Sequence, residues 1–483
     1  MSIVSKIWKQ FIAILSLLLL SSRVMGADIP EGALLVKMKS KGSGLQVATA
    51  KEDLVALLGA KAQKNIGNFK SGLSLQASDK DNWISLEFET TEKSEEAKKI
   101  LEEHEDVISV EPNYRVVINN IYDASQGYFL NTSLKELLDL PSRQEVVVAV
   151  IDTGVDFTHP NLRDAQWVNK KDPIDGLDND QNGHVDDFNG LYEHQGLRQP
   201  IKDDNSHGTH MAGIIAARSI PTKPLSGFDT KAKIMAIKIF DANGVGTQAD
   251  SAMAIRYAAD MGAKIINCSW SYFKMNTVLR EAVVYATQKG SLVVAAAGNA
   301  GSTLLEYPAA IPNVIAVGSV NNDNARSSFS SIGDHLFCSG YGESVYSSIP
   351  GGQYGFKSGT SQATAMLSGV LSKIVSIRSD ITASEAKLLL QNSCTDLAPA
   401  GKDIASGYGV INGHRLAESL KPYLPKSQPS SSQSELNKTG SGAVSAQTPI
   451  STPAASSGFN WKNPWVYGGA AAVILLILGL GAG

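Results

Sequence analysis

Three stretches of this sequence each set one reactive side chain beside glycine. In AVIDTGVDFTHPNL, Asp152 closes an apolar run and Gly154 follows it. In DNSHGTHMAGIIAA, His207 precedes Gly208 at the start of a small-residue helical pattern. In KSGTSQATAMLSGV, Ser361 follows Gly359 and Thr360 and opens another such pattern. Carboxylate, imidazole and hydroxyl together suit nucleophilic catalysis. A carboxylate holds one ring nitrogen, and the other is left to take the hydroxyl proton. A serine at a helix start also meets unpaired amides and a field that favours developing negative charge. A fourth stretch, VVAAAGNAGS, puts Asn299 after a buried strand pattern. A carboxamide there can donate to an oxyanion, a contribution of roughly 3–4 kcal/mol to a barrier. Each residue also has a plainer reading. Asp152 is a turn former or cap, Ser361 an N-cap, and Asn299 the filler of a left-handed turn. His210 reads as a structural hydrogen-bonder. Its spacing from His207 would suit a metal, but no companion ligands accompany the pair.

The elements that must position these groups alternate. Apolar runs at 146–154, 232–240, 263–270, 291–298 and 313–320 read as strands, and 248–260 and 276–289 as helices between them. The first run is almost continuously apolar, as a parallel strand covered on both faces must be. Strands alternating with helices predict a doubly wound, mostly parallel α/β domain, with its site beyond the carboxyl ends of the strands. Ahead of it, strand patterns at 32–39, 83–88 and 107–118 and helical patterns at 52–58 and 94–104 predict a small α+β unit.

Four motifs in this order resemble the subtilisin-like serine protease family: DTG with Asp152, HGTH with His207, AAAGN with Asn299 and GTSQA with Ser361. The resemblance covers about residues 122 to 420. It implies an Asp152–His207–Ser361 triad working through an acyl-enzyme, with Asn299 and the Ser361 amide at the oxyanion. It further implies an extended substrate paired with cleft edges at Ser269, Trp270 and Ser271, at Ala296, Ala297 and Gly298, and at Gly244 and Gly246. By the same resemblance the first unit is an inhibitory propeptide closing on the strand at 107–116, with cleavage between 118 and 130. Departures touch the pocket rather than the reacting groups. Gln362 stands where the family usually has Met, Ala365 where it has Pro, and Ser271 where Gly is common.

The oxygen-rich stretch GLDNDQNGHVDD, 176–187, resembles the start of a calcium loop without its closing Glu. Asp178, Asp180, Asn182, Asp186 and Asp187 are its candidate ligands for a structural Ca2+, and His184 is expected to point outward. A solvated acidic turn is the alternative. Cys268, Cys338 and Cys394 make no disulfide scaffold and no zinc spacing. Cys338–Cys394 is the pair suited to an oxidising compartment, and Cys268 reads as a buried thiol.

Lys6 and Lys9 before the apolar Phe11–Leu20 run read as a signal peptide over residues 1–27. The expected organisation continues with a propeptide over 28–120 and a catalytic domain over 121–423. A Ser/Pro-rich linker over 424–460 and a hydrophobic tail over 461–483, an anchor or sorting tail, complete it. This predicts an exported, extracellular or surface-tethered protein whose tail reaches a membrane. With 43 Lys+Arg against 47 Asp+Glu, the balanced charge points to no nucleic-acid partner. The competing reading is a noncatalytic peptide-binding module on a membrane stalk.

Overall fold

In the computed structural model, residues 33–39, 69–76, 82–88, 90–118, 132–194, 197–198, 202–221, 225–397 and 399–424 are described. The signal, most of the linker, the tail, the helix expected at 52–58 and the segment expected to be cleaved lie outside them. No helix among the described residues is long and apolar enough to cross a membrane.

A ten-stranded sheet forms the frame. Its order is Cys394–Thr395, Val410–Ile411, Leu336–Tyr341, Ile315–Val320, Leu292–Ala296, Ile265–Cys268, Val146–Asp152, Ala232–Lys238, Leu191–His194 and Leu197–Arg198. Eight strands run parallel, and the two short outermost ones pair antiparallel. Strand period explains why the central run is apolar throughout. Val148 and Val150 enter one core with the helices His207–Ala216 and Thr360–Ile377. Ala149 and Ile151 enter the other with the helices Gln248–Asp260 and Thr277–Gln288. Helices therefore cover both faces, as the doubly wound expectation requires. Thr247 and Asn276 cap the latter two helices by accepting from Asp250 N and Leu279 N.

The chain lays strands to one side of Val146–Asp152, then crosses to the other side with Ile265–Cys268. That reversal of direction opens a crevice at the carboxyl end of the strand, where Asp152 stands. The Thr360–Ile377 helix is buried along its whole length. Ser368 Oγ donates to Asn267 of the Ile265–Cys268 strand, and Gly369 lets Phe228 and Ile215 of the neighbouring His207–Ala216 helix approach closely.

The first unit is a four-stranded antiparallel sheet, ordered Phe69–Gln76, Asn82–Phe88, Ala33–Met38, Val107–Pro112. The Thr91–Glu102 helix covers it through Ala97 and Leu101. The Phe69–Gln76 strand was not expected. Its run FKSGLSLQ is too polar and glycine-broken to stand out. The expected 107–118 strand is two strands. Val107–Pro112 stays in this sheet, whereas Arg115–Ile118 leaves it for a three-stranded sheet between Val245–Thr247 and Trp270–Ser271. The divide falls at Pro112 and Asn113. Pro112 cannot donate to a ladder, and Asn113 Oδ1 accepts from Ala249 N.

The four-stranded sheet rests on the first turns of the Thr277–Gln288 helix. Glu111 Oε2 accepts from Thr277 N at 2.7 Å. Lys37 and Trp83 both reach Glu281, at 2.6 and 3.2 Å.

Candidate active site

Asp152 ends its strand fully buried, with Thr153 N donating to Oδ1 at 2.8 Å. Its carboxylate faces His207 Nδ1 at 2.8 and 2.9 Å. The imidazole is thereby held in one orientation, with Nδ1 donating. His207 Nε2 is buried and makes no hydrogen bond.

The approach of the two elements depends on Gly208. A β-carbon there would overlap the Gly154 carbonyl. A buried residue not singled out in the sequence, Asp203, secures the same junction. Its Oδ1 accepts from Thr153 Oγ1 and Ser206 N, both at 2.8 Å, and its Oδ2 accepts from Thr209 N at 2.9 Å. Lys238 Nζ donates to Thr153 O and Asp204 Oδ1, and Lys357 Nζ to Ser206 Oγ. Burial pulls the Lys357 ammonium below the ordinary lysine range, against the attraction of Asp203 and Asp152. Only the general composition of these stretches hinted at such partners, since their separation in sequence conceals the contact.

Ser361 lies in the first turn of its helix, fully buried. Its Oγ donates to Ser269 O at 2.8 Å. Asn299 Oδ1 accepts from Thr360 N and Thr360 Oγ1, both at 2.9 Å. This orients the carboxamide, and Asn299 Nδ2 is buried without a partner. One acceptor is spent on positioning while the donor is kept in reserve, which is what oxyanion stabilisation needs.

The expected cleft residues divide. Gly246 pairs with Val116, and Trp270 and Ser271 pair with Ile118 and Val117, so both edges hold one strand between them. Gly244 turns the chain beside them, with its N–H on Asp241 O. Trp270 offers backbone only, because its indole is buried and donates to Ile151 O. Ala296 pairs with Val317 and Ala297 N donates to Val317 O, which ties both into the sheet interior. Gly298 stands at the rim, with its N–H on Thr360 Oγ1 at 3.3 Å.

Next to Gly298 is a group the sequence reading missed. Glu306 is 2 % exposed, and Ser271 Oγ and Ser331 Oγ donate to its carboxyl. Burial raises its pKa above the ordinary carboxylate range despite the two hydroxyls. A glutamate seven residues beyond Asn299 carries no local pattern that would have found it.

His210 takes the opposite course from His207. Its Nε2 faces Val345 O at 3.0 Å and Gly355 O at 3.2 Å. Burial first, then Lys357 and His207, hold its pKa down at about 3. Gln362 is wholly buried with neither amide atom hydrogen-bonded. Cys268, Cys338 and Cys394 are buried thiols. The anticipated Cys338–Cys394 pair is not bridged; Cys394 Sγ donates to Leu390 O, and the neighbouring Cys394 together with burial pushes the Cys338 thiol pKa up.

Residues 176–187 do not converge as one ligand set. Asp180 and Asp187 share Asn169 Nδ2 as donor, at 2.9 and 2.5 Å, and Asn182 Nδ2 reaches Asp187 at 2.8 Å. Asp178 accepts from Asn182 N and Gly183 N. Asp186 turns away, because its left-handed backbone (φ 58°) aims its carboxylate at Asp175 N and Gly176 N. Asp172, not anticipated, accepts from Asn179 N and Asp187 N. His184 corrects the outward expectation. It is 5 % exposed and packs edge-on against Tyr257, because the loop folds back over that helix. Burial raises the Asp187 carboxyl above its ordinary pKa, and its donors Tyr257, Asn169 and Asn182 are all neutral. Among the described residues, a separate trio of ligand-type side chains does lie close together. Glu136, His414 and Glu418 have ligand atoms within 4.8 Å of one another, all exposed, with Lys421 paired to both glutamates.

Residues 143–409 match the subtilase family, Peptidase_S8. The chain belongs to the subtilase family. Thermitase of Thermoactinomyces vulgaris is 36% identical over 280 residues, covering 58% of this chain and 91% of thermitase. A thermophilic serine proteinase of Bacillus sp. strain AK1 is 40% identical over 229 residues, covering 47% of this chain and 52% of its own length. Subtilisin NAT of Bacillus subtilis subsp. natto is 30% identical over 425 residues, 86% of this chain and 99% of the relative. This subtilase is a serine-type endopeptidase.

Proposed function

We propose that this subtilase cleaves peptide bonds through Asp152, His207 and Ser361, with Asn299 at the oxyanion. The observation that carries the assignment is the pairing of His207 Nδ1 with Asp152 while His207 Nε2 and Asn299 Nδ2 stay buried and unbonded. With Nδ1 committed to Asp152, Nε2 is the nitrogen left to act as base, and with its oxygen committed to Thr360, Asn299 has its N–H left to donate to an oxyanion. Rotation of Ser361 Oγ from Ser269 O to His207 Nε2 starts the reaction. His207 accepts the proton as Oγ attacks the carbonyl carbon. Asp152 holds the tautomer and stabilises the imidazolium. Asn299 Nδ2 and the Ser361 amide receive the oxyanion, and His207 then protonates the leaving amine. Water, deprotonated by His207, releases the acyl-enzyme.

Substrate binds by strand addition between Val245–Thr247 and Trp270–Ser271, the place taken here by Arg115–Ile118. Residues 28–120 act as an inhibitory propeptide whose tail fills the cleft before self-cleavage between 118 and 130. Such a precursor masks the site until the slow-forming parallel sheet is complete. The signal pattern and apolar tail support export and attachment at a membrane. Calcium is taken up at the oxygen-rich loop, with Asp178, Asp180, Asn182 and Asp187 turning from their present hydrogen-bond partners to the ion. The support is a buried carboxylate served only by neutral donors, which a divalent cation with oxygen ligands would neutralise. Ca2+ there has a structural role and takes no part in the bond cleavage.

Replacing Ser361 with alanine tests the whole assignment. Self-processing, followed by mass spectrometry, and casein hydrolysis should both stop, and a fluorophosphonate should label only the unsubstituted chain. Continued self-cleavage by the Ser361→Ala protein would show that another group is the nucleophile.

A further inference from the structure

Glu306 is a buried ionisable group that the cleavage chemistry does not use, and its position relates it to the substrate. Its carboxyl lies between the two cleft walls. From one wall, Ser271 Oγ donates to Oε2, and Ser271 is two residues beyond Ser269, whose carbonyl holds the nucleophilic hydroxyl. On the other wall is Gly298, immediately before Asn299. A β-carbon built on Gly298 would overlap the Glu306 carboxyl. The glycine (φ 104°) therefore lets that carboxyl pack directly against its α-carbon. Backbone bonds between Tyr272 and Tyr307, at 2.8 and 3.1 Å, lock the two segments together just past Ser271 and Glu306. Ser331, whose N–H donates to Gly298 O, adds its hydroxyl to Glu306 Oε1 at 2.7 Å.

The strand register says which substrate residue meets this carboxyl. Val117 lies opposite Ser271 and Ile118 opposite Trp270, in antiparallel pairing. A peptide in that path brings its next residue opposite Ser269, beside Ser361 Oγ. That residue supplies the acyl side of the cleaved bond, and its side chain has the Gly298–Glu306 floor beneath it.

We infer that Glu306 sets specificity for the residue before the cleaved bond and that the enzyme selects Lys or Arg there in separate substrates; self-cleavage between 118 and 130, a stretch without Lys or Arg, is an intramolecular step whose proximity replaces that preference. The inference rests on the protease assignment above. Glu306 has two neutral hydroxyl donors, which orient a carboxylate without neutralising it. A buried carboxylate of this kind is stabilised by an incoming cation with N–H donors, whereas an apolar side chain would desolvate it further. Ser271, which stands where the family commonly has glycine, gains a purpose as one of the hydroxyls that aim it.

The experiment is a matched peptide series with Lys, Arg, Leu, Phe or Ala before the cleaved bond, hydrolysed by the self-processed full chain. Active enzyme is counted by fluorophosphonate labelling. We expect kcat/KM for Lys and Arg to exceed that for Leu and Phe at least ten-fold. Glu306→Gln should lower the Lys/Leu ratio at least ten-fold, and the ratio is independent of how much variant folds. If the variant yields no labelled enzyme, the unsubstituted series decides alone. A preference for Leu, Phe or Ala overturns the inference while leaving the protease assignment intact. No hydrolysis of any peptide, with no label on Ser361, overturns both.

Discussion

The rim around Asp152 and the acidic loop at 176–187 both bury polar groups, but they spend them differently. At the rim, each positioning bond leaves a second atom over: Nε2 of His207 and Nδ2 of Asn299. In the loop, the carboxylates of Asp178 and Asp186 are taken by the loop's own amides, and Asp187 by three neutral donors. A residue type alone therefore says little about chemistry. An aspartate prepared for reaction and one that shapes a turn differ in what their partners have left to offer.

The largest effect should come from breaking the rim's positioning bond. Asp152→Asn keeps the shape but presents an amide N–H or a neutral oxygen to His207 Nδ1. It should lower kcat by about 10⁴-fold with a much smaller change in KM. A loss below ten-fold, measured on folded and titrated enzyme, would separate Asp152 from catalysis.

Chelation probes the loop. Removing calcium should lower Tm without first altering the rim, and a hundredfold excess of calcium over Kd contributes about 2.7 kcal/mol. Asp187→Asn should abolish that increment. The sign with pH follows from its raised pKa. In the metal-free protein, Asp187 contributes most below its unfolded pKa, and that contribution is lost as pH rises through the folded one. The calcium increment should thus shrink on acidification, as protons compete for the same carboxyl. An unchanged Tm with calcium and with chelator would remove the loop as a metal site.

The smallest effect concerns His210, three residues from the base. Its folded pKa of about 3 lies below the unfolded 6.5. Its contribution is complete above pH 6.5 and is lost as pH falls from 6.5 toward 3. His210→Gln keeps a donor for Val345 O but has no such proton to gain. Its Tm should fall less steeply across that window than that of the unsubstituted protein. Parallel Tm profiles would show that His210 does not shape the acid limb.

Much of the sheet was legible because burial on both faces leaves a mark along the chain. The strand at 146–152 and the helix at 248–260 fall where their patterns put them. The Phe69–Gln76 strand was harder because its run is polar and glycine-broken, and the break after Pro112 because the partners of 115–118 lie far along the chain. The four site motifs were readable since each sits where a strand ends or a helix begins. Asp203, Lys357 and Glu306 were not, because nothing beside them in sequence distinguishes a buried partner from a surface charge.

Sequence by itself determined which polar residues stand at strand ends and helix starts, the order of their motifs and the alternation that builds a two-faced sheet, since these are properties of neighbouring residues. Tertiary structure decided which nitrogen of His207 is held, which atom of Asn299 is left over, that His184 turns inward and that a glutamate lies under Gly298. Those outcomes depend on contacts between segments tens to hundreds of residues apart, where packing and desolvation select one partner among many of the same chemical type.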